Sequence, residues 1–297
     1  MLQYRHMKNN LTVSLTATPL QIEKLKTTYS KSIKPTQNPY IDALIQIDGC
    51  TISIYSSNKI VFQGPLAQEM ATLLGYQPIA FEPHIGSDEV GTGDYFGPVC
   101  VCAAYVDHSH TDLIQSLAIK DSKLLNDQQV LDLADPLRKN IKHSLLVLPN
   151  RQYNLIHETT NLNAIKAKLH NQAIIHLLKK IDSHPAIIID QFTPKSHYYR
   201  YIQNEQEIIE NIVFQTKAES KYLGVAIGAI LARASFIEAF KQLEKQLDMS
   251  LPKGAGELVD DTAVEIVRKY GWPMLDKVAK MHFKNTQKVM EKIKASE

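Results

Sequence analysis

Most of this chain alternates short apolar segments with long helical ones, and this order constrains the fold more than any other feature. The predicted strands are Pro98–Val106, Ser144–Leu148, Ala186–Asp190 and Ile212–Thr216. The predicted helices cover residues 127–139, 161–181, 220–247, 261–269 and 274–281. Because strands followed by helices are typical of layered α/β proteins, we expect a mixed sheet with flanking helices over residues 86–297.

The first 77 residues have a different pattern and are predicted to form a small separate α+β domain. The predicted elements follow the order β-α-β-β-β-α, at residues 11–17, 19–31, 42–47, 51–55, 59–63 and 66–74. Residues 78–85 contain Pro78 and Pro83 and have no hydrophobic periodicity, so we expect an extended linker there. The predicted domains are therefore residues 1–77 and 86–297.

Alternation along the four strands of the first domain separates an apolar face of the sheet from a polar one. The apolar face collects Leu11, Val13, Leu15, Ile45, Ile47, Ile52, Ile54, Ile60 and Phe62. The polar face collects Thr12, Ser14, Thr16, Gln46, Thr51, Ser53, Tyr55, Lys59 and Gln63. Two helices can cover only one side of such a sheet, so the polar face is predicted to stay open. The pattern by itself is typical of a solvated face, and a binding face is the alternative.

The charge of the chain gives no general sign of a nucleic-acid partner. The 297 residues carry a formal net charge of +2, so any positive surface must come from local clustering. One candidate cluster consists of Lys195, His197, Arg200, Lys217 and Lys221. Exposed lysines are usually only solvated, and that remains the simpler interpretation of each of them.

Cysteine content and hydropathy indicate an intracellular protein. Cys100 and Cys102 lie on one face of a predicted strand and are expected to be small core residues. The N-terminal residues resemble no signal peptide, and no uninterrupted apolar run reaches the ~18 residues of a membrane span. We therefore expect a cytoplasmic location and no membrane association.

Asp88 and Glu89 stand side by side at the start of a glycine-rich segment that precedes the first predicted strand of the second domain. Adjacent side chains on a strand point to opposite faces unless the backbone bends, and Gly91 and Gly93 are suited to such a bend. Two carboxylates brought together repel each other, and a divalent cation bound by oxygen ligands relieves the repulsion. Since such ions commonly serve phosphodiester chemistry, the segment predicts a metal site.

Two further acids occupy positions that suit either a structural or a metal-binding role. Asp190 ends an apolar strand, where aspartate either forms a turn or presents a ligand at the edge of the sheet. Glu219 precedes the long helix, where it either complements the helix dipole or, ionised by that dipole, serves as a ligand. The many small residues of that helix predict close packing on the sheet.

Five segments together carry a resemblance to a known family. They are DEVGTGDYFGPV from Asp88, KDSKLL from Lys120, IIIDQF from Ile187, KAESKYLGVAIGAILARASF from Lys217 and HFKNT from His282. In this order they resemble the type 2 ribonucleases H, and most closely ribonuclease HIII. The resemblance covers about residues 85–288 and implies a ribonuclease H-like catalytic domain.

The resemblance implies a catalytic site and a reaction. The family's four catalytic acids fall on Asp88, Glu89, Asp190 and Glu219; ribonuclease HII has an aspartate at the last position, whereas ribonuclease HIII has a glutamate. They would bind two Mg²⁺ or Mn²⁺ ions and hydrolyse the RNA strand of RNA/DNA hybrids, leaving 5′-phosphate and 3′-hydroxyl ends. Independently of the resemblance, we expect the protein to be a monomer.

Candidate substrate-binding residues follow from the same resemblance. The backbone of Gly91, Thr92 and Gly93 would approach the 2′-hydroxyls, and Ser122 and Lys123 would contact phosphates. The first domain resembles one repeat of the TATA-binding protein, and its open face, with Tyr55 and Lys59, would bind the hybrid.

Two alternatives to hybrid cleavage remain open at the level of the sequence. Cleavage at single embedded ribonucleotides, as in ribonuclease HII, is disfavoured because Thr92 replaces an arginine of that family. A non-catalytic nucleic-acid clamp would have no need of the four acids.

Overall fold

The structure, a computed structural model, describes residues 12–75, 81–117, 119 and 125–295. The chain divides into two compact units, one comprising Met1–Ala80 with Ser109–Ala118 and the other Phe81–His108 with Ile119–Glu297. Residues 109–118, predicted in the second domain, therefore cluster with the first unit.

The first unit contains an antiparallel sheet and helices. In chain order its elements are β1 (Thr12–Thr16), α1 (Pro19–Thr28), β2 (Ile33–Lys34), β3 (Ile41–Ile47), β4 (Cys50–Tyr55), β5 (Lys59–Gln63), α2 (Ala67–Thr72) and α3 (Thr111–Ser116). The sheet has the order β1-β5-β4-β3-β2, so the two-residue strand β2 makes five strands where the sequence predicts four. Helix α1 begins where Thr18 and Gln21 form a capping box, and α3 packs against β1.

The predicted division of this sheet into two faces is confirmed in most positions. The apolar face forms the core of the unit, with Ile45, Ile52, Ile54 and Phe62 fully buried beneath α1 and α2. On the other face the strand register aligns polar residues in rows, such as Thr12, Gln63, Thr51 and Gln46. The middle row also contains the half-buried apolar residues Val61 and Leu44 beside the buried Ser53, so this face is less polar than predicted.

The second unit is a mixed sheet between helices. Its elements are β6 (His84–Val90), β7 (Val99–Val106), α4 (Asp127–Asn140), β8 (His143–Leu148), α5 (Asn150–His157), α6 (Leu162–Leu178), β9 (Ala186–Asp190), α7 (Lys195–Ile202), β10 (Ile212–Gln215), α8 (Leu223–Leu247), α9 (Glu257–Tyr270), α10 (Trp272–Val278) and α11 (Lys284–Lys294). The strand order is β10-β9-β6-β7-β8, with β10, β9 and β6 parallel and the other pairs antiparallel.

The central strand β6 was not predicted from the sequence. Its first residues, His84 and Ile85, fall in the predicted linker, while residues 76–80 lie outside the described part of the chain. Helices cover both faces of the sheet, with α6 on one side and α8 on the other, so β6 has no alternation of polar and apolar residues to reveal it. Helices α5, α7 and α11 were not predicted either.

Helix α8 packs on β6 and β7 with its backbone in direct contact with those of the strands, as its small residues predict. A Cβ atom added to Gly86 would lie 2.0 Å from the Val225 nitrogen, and one added to Gly228 would lie 2.8 Å from the Cys102 carbonyl oxygen. At the start of α8 the backbone nitrogen of Gly224 donates a hydrogen bond of 2.9 Å to His84 Nε2. Cys100 and Cys102 are buried on β7, as expected for core residues.

Helix α8 is also long and apolar enough, by length and composition alone, to cross a membrane. In the molecule 78% of its apolar window is buried. Its apolar residues therefore serve the core between β6, β7 and α4.

Candidate active site

Asp88 and Glu89 lie within β6 and point to opposite faces of the sheet. His84 and Gly86, which precede Asp88 at alternate positions, contact α8. Ser87 and Glu89 contact α6 on the other face. The expectation that a bend brings these two carboxylates onto one face is therefore wrong, because the strand stays regular through Val90. The bend follows at Gly91, whose φ of +91° is a conformation that favours glycine.

Asp190 and Glu219 reach the same end of the sheet as Asp88. Ser87 pairs with Ile189 in the parallel ladder of β6 and β9, so Asp190 ends β9 beside Asp88. Asp190 Oδ1 accepts a hydrogen bond of 2.8 Å from the backbone nitrogen of Ala218. This bond ties the strand end to the 3₁₀ turn Ala218–Ser220, which carries the buried Glu219 just before α8.

The surroundings of Asp88 and Glu89 shift the pKa values of the two carboxyl groups in opposite directions. Burial raises the pKa of Asp88 well above its usual range, and the negative charges of Glu89, Asp190 and Glu219 raise it further. Burial also raises the pKa of Glu89, but His170 and Lys166 outweigh it, so that this pKa is lowered. A cation near Asp88 would therefore favour its ionised form.

Lys166 and His170 also belong to the site, although no pattern used above predicts them. Lys166 Nζ forms an ion pair with Glu89 Oε1, and both side chains are about nine-tenths buried. His170 Nε2 lies 2.9 Å from Glu89 Oε2, and its Nδ1 lies 2.8 Å from Ser87 Oγ. Both residues stand on α6 four positions apart, a spacing that places polar side chains on one face of a helix and was the available signal.

Phe192, from the IIIDQF segment, packs against both Lys166 and His170. The Lys166 amine lies 4.0 Å from the centre of its ring, and the His170 ring stacks on it at 5.4 Å. The side chain of Glu89 is thus held by two hydrogen-bonding partners that are themselves packed in place.

The other three acids are near enough to Asp88 to raise its pKa, but the four carboxylates do not surround one common point. Within the described ranges, no group of three or more His, Cys, Asp and Glu side chains is placed to hold one metal ion. Glu89 is instead engaged by Lys166 and His170 on the α6 side of the sheet.

The predicted substrate-binding residues fall into three groups. Gly91, Thr92 and Gly93 form the start of the loop after β6; a Cβ atom on Gly91 would lie 2.2 Å from the Pro98 oxygen, whereas Gly93 faces open space. Tyr55 and Lys59 lie in the first unit, at the end of β4 and the start of β5. Ser122 and Lys123 lie outside the described residues.

The basic cluster and the HFKNT segment have surroundings of different kinds. All five residues of the predicted basic cluster are exposed. His282 stacks on His157 at 4.0 Å, and burial lowers its pKa to about 4. Asn285 is buried and donates hydrogen bonds to Ala255 and Asp260, so both residues have structural contacts within the second unit.

Comparisons with known proteins agree with this architecture. The family model described as Ribonuclease HII matches residues 85–286. A second model, described as a domain of unknown function (DUF3378), matches residues 12–81. The resemblance of the first unit to a TATA-binding-protein repeat stays a prediction.

Named relatives match nearly the whole chain. Ribonuclease HIII from Streptococcus pneumoniae (strain CGSP14) is 39% identical over 283 residues, covering 93% of this chain and 98% of the relative. Ribonuclease HIII from Listeria monocytogenes serotype 4b (strain F2365) is 40% identical over 295 residues, covering 92% and 96%. The crystal structure of Bst-RNase HIII in complex with Mn²⁺ is 36% identical, has a TM-score of 0.70 and covers 96% of this chain and 100% of that one. The α/β fold and the resemblance inferred from the five segments are thereby confirmed, and the chain belongs to the ribonuclease HIII family.

Proposed function

We propose that this ribonuclease cleaves the RNA strand of RNA/DNA hybrids internally, with two divalent metal ions, and leaves 5′-phosphate and 3′-hydroxyl ends. The observation that carries the proposal is the convergence of Asp88, Asp190 and Glu219 at one end of the sheet. Burial and the charges of the neighbouring acids raise the pKa of Asp88, and a buried group of carboxylates is an environment that favours a cation.

The residues fit Mg²⁺ or Mn²⁺ in the kind of ligand and in charge. All four acids offer carboxylate oxygens, which are the ligands that both ions prefer. We propose that Asp88, Asp190 and Glu219 hold the ions together with Glu89, whose carboxylate is paired with Lys166 and His170 on the other face of the sheet. A relative, Bst-RNase HIII, has a crystal structure in complex with Mn²⁺. Bound ions of this kind activate the attacking water and stabilise the departing 3′ oxygen.

The remaining residues of the site orient these acids. The Ala218 amide holds the Asp190 carboxylate at the strand end, and Lys166 with His170 holds that of Glu89. The turn at the half-buried Thr92 and the exposed Gly93 is free of large side chains, so its backbone is accessible to a ribose. We propose that it contacts consecutive 2′-hydroxyls, the groups that distinguish RNA from DNA.

The first unit supplies the second part of the proposal. Its sheet presents rows of hydroxyl and amide groups, with Tyr55 and Lys59 near one end, on the face that α1 and α2 leave uncovered. Such groups suit contacts to a sugar-phosphate backbone, which fix position without reading sequence. Action as a monomer in the cytoplasm stays a prediction from the sequence.

The test is a cleavage assay with four substrates of equal length: a uniform hybrid, a DNA duplex with one ribonucleotide, an RNA duplex and a DNA duplex. With Mg²⁺ and with Mn²⁺ we expect cleavage of the hybrid at many positions. The duplex with a single ribonucleotide should be cut poorly, because Thr92 lacks the guanidinium group that could bind the RNA–DNA junction beside that ribonucleotide. Comparable rates on the hybrid and the single-ribonucleotide duplex would favour cleavage at single embedded ribonucleotides. A chain that binds the hybrid without cutting any substrate would favour a non-catalytic nucleic-acid clamp.

A further inference from the structure

Residues 91–97, in the loop between β6 and β7, form an exposed tip on a buried base. Thr92, Gly93 and Asp94 are half-buried or exposed, whereas Tyr95, Phe96 and Gly97 are buried. Gly91 and Gly97, at the two ends, both have positive φ and both lie against the ring of Phe236. The tip is therefore presented by a base that is packed into the unit.

Residues from the C-terminal part of the chain hold this base by backbone hydrogen bonds. The nitrogens of Tyr95 and Gly97 donate to the carbonyl oxygens of Gly254 and Val278, at 2.8 and 3.0 Å. The nitrogen of Lys280 in turn donates to the Tyr95 oxygen at 2.8 Å. These bonds fix the path of the loop base but leave the carbonyl oxygens of Asp94 and Gly97 to other donors.

Those two oxygens accept hydrogen bonds from the Lys280 side chain. Lys280 is fully buried, and its Nζ donates to the Asp94 oxygen at 2.8 Å and also to the Gly97 oxygen. Asn150 Nδ2 donates to the same Gly97 oxygen at 2.8 Å. In the part of the chain that the structure describes, no carboxylate forms an ion pair with Lys280.

A buried amine without an ion-pair partner is an unfavourable arrangement for a folded chain. Charged groups are rarely fully buried unless paired, because burial removes their hydration. Here burial lowers the pKa of the Lys280 amine to about 7. The amine instead donates two hydrogen bonds to the loop, one on each side of the Tyr95–Phe96 pair.

We propose that Lys280 is a positioning residue that sets the geometry of the Thr92–Asp94 tip for recognition of the substrate. The amine bridges two carbonyl oxygens three residues apart and thereby fixes the curvature of the loop base. Since the tip contacts substrate through its backbone, its shape determines which sugars it fits. This inference rests on the proposed role of the tip in binding the hybrid. It does not involve the metal ions, because Lys280 contacts the loop base and none of the four acids.

The first test compares Lys280→Met with Lys277→Met in the full chain. Lys277 is exposed on α10, three residues before Lys280, so its substitution removes the same charge without touching the loop. We expect Lys280→Met to raise KM for the hybrid about tenfold with a smaller change in kcat, and to reduce the preference for the hybrid over a single-ribonucleotide duplex. Mn²⁺ binding measured by calorimetry should match that of the wild type. Arg138→Met, which breaks the ion pair of Arg138 with Glu238 on α8, controls for loss of stability alone.

A second variant and a measurement on the wild type keep the inference testable even if Lys280→Met does not fold. Asn150→Ala removes a different donor to the Gly97 oxygen and should raise KM in the same direction, by less. In the wild type without substrate, the Tyr95 and Gly97 amides should exchange with deuterium as slowly as those of β7. Fast exchange, or an unchanged KM and substrate preference in a folded Lys280→Met chain, would overturn the inference. A wild-type chain that binds but does not cut hybrids would instead contradict the proposed function, and hybrid affinity would then replace KM in the comparison.

Discussion

Asp88 and Glu89 are neighbours in the chain, yet strand geometry gives them different surroundings. Asp88 faces the α8 side, where burial and nearby acids favour its neutral form. Glu89 faces α6, where Lys166 and His170 favour its ionised form. Two carboxyl groups whose pKa values are shifted in opposite directions are typical of catalytic sites, where each performs a different task.

Asp190→Asn tests the metal-site proposal at a residue whose hydrogen bond survives the change. Asparagine keeps an oxygen that can accept from the Ala218 nitrogen, so the fold should persist. We expect hydrolysis of the hybrid to fall by roughly 100-fold or more, as for loss of one charge-stabilising group. The melting temperature should stay equal or rise as repulsion is relieved. Asp182→Asn, at an exposed acid before β9, is the matched control, and full activity in Asp190→Asn would contradict the assignment.

Lys166→Met tests whether the buried ion pair with Glu89 carries stability. Removing Lys166 leaves the buried Glu89 carboxylate with His170 as its remaining partner, so we expect the free energy of unfolding to fall by about 3 kcal/mol. Lys168→Met provides the control two residues away, because its pair with Glu205 is exposed to solvent and should be worth less than about 1 kcal/mol. Urea unfolding measures both. In the double variant Lys166→Met/Glu89→Gln most of the lost free energy of unfolding should be recovered. If it is not recovered, the loss in Lys166→Met does not come from the unpaired charge.

Lys280 gives the folded chain a pH-dependent stability above neutrality. Burial lowers the pKa of its amine to about 7, whereas in the unfolded chain the pKa is about 10.4. Between these values the unfolded state binds more protons, so this contribution to the free energy of unfolding rises with pH, by at most about 1.4 kcal/mol per unit. Below about pH 7 the contribution is constant. Urea unfolding between pH 7 and 9.5 should show this rise in the wild type and Lys277→Met, and a smaller one in Lys280→Met.

At the scale of elements, the contact between α8 and the β6–β7 pair determines where the acids lie. Gly86 and Gly224 let the two backbones meet, and His84 Nε2 accepts a hydrogen bond from the first turn of the helix. Glu219 immediately precedes this helix, so the position of α8 on the strand also sets the distance from Glu219 to Asp88. The small residues therefore serve the site as well as the core.

Gly86→Ala is the substitution that tests this contact. Its Cβ atom would lie 2.0 Å from the Val225 nitrogen, so strand and helix must separate. Overpacking of this kind costs about 1–3 kcal/mol, and here it meets backbone that cannot rotate away. Gly93→Ala is the control, because a Cβ atom there meets nothing within 4 Å. Equal melting temperatures for the two variants would show that α8 has room to shift.

At the scale of the whole molecule, the two units divide chemistry and binding between them in our proposal. The acids, Lys166 and His170 all belong to the second unit, whereas the open sheet belongs to the first. Helix α3 is an exception to the chain order, since it follows β7 in sequence but packs against β1. A shortened chain beginning at Phe81 would therefore leave α3 without its packing partner, so substitutions on the sheet are the sharper test.

Lys59→Ala tests the sheet as a binding surface in the intact chain. If Lys59 contacts a phosphate, the variant should bind the hybrid more weakly whatever its sequence. The slope of log affinity against log salt concentration should fall by about one. Lys24→Ala removes the same charge from the exposed side of α1, in the helical layer of the unit. It should leave both the affinity for the hybrid and the slope of its salt dependence unchanged. Fluorescence anisotropy at several salt concentrations measures the affinity, and equal slopes in the two variants would indicate a solvated face.

The sequence by itself determined the elements whose signals are local. Strand β9 has the predicted bounds, Ala186–Asp190, because a short apolar run ends there in a single acid. The alternation of Ile52, Ile54, Ile60 and Phe62 likewise predicted the buried face of the first sheet, since period-two burial is visible in the residues themselves.

Only the tertiary structure decided which residues surround the acids. Strand β6 escaped prediction because Gly86 and Ser87 are buried by helices from distant parts of the chain, and no local pattern records such packing. Glu89 meets Lys166, 77 positions away in the sequence, only because α6 covers the sheet at that point. Hydrophobic periodicity reports which face of an element is buried, whereas ion pairs such as this one depend on long-range register, which is set when the layers pack.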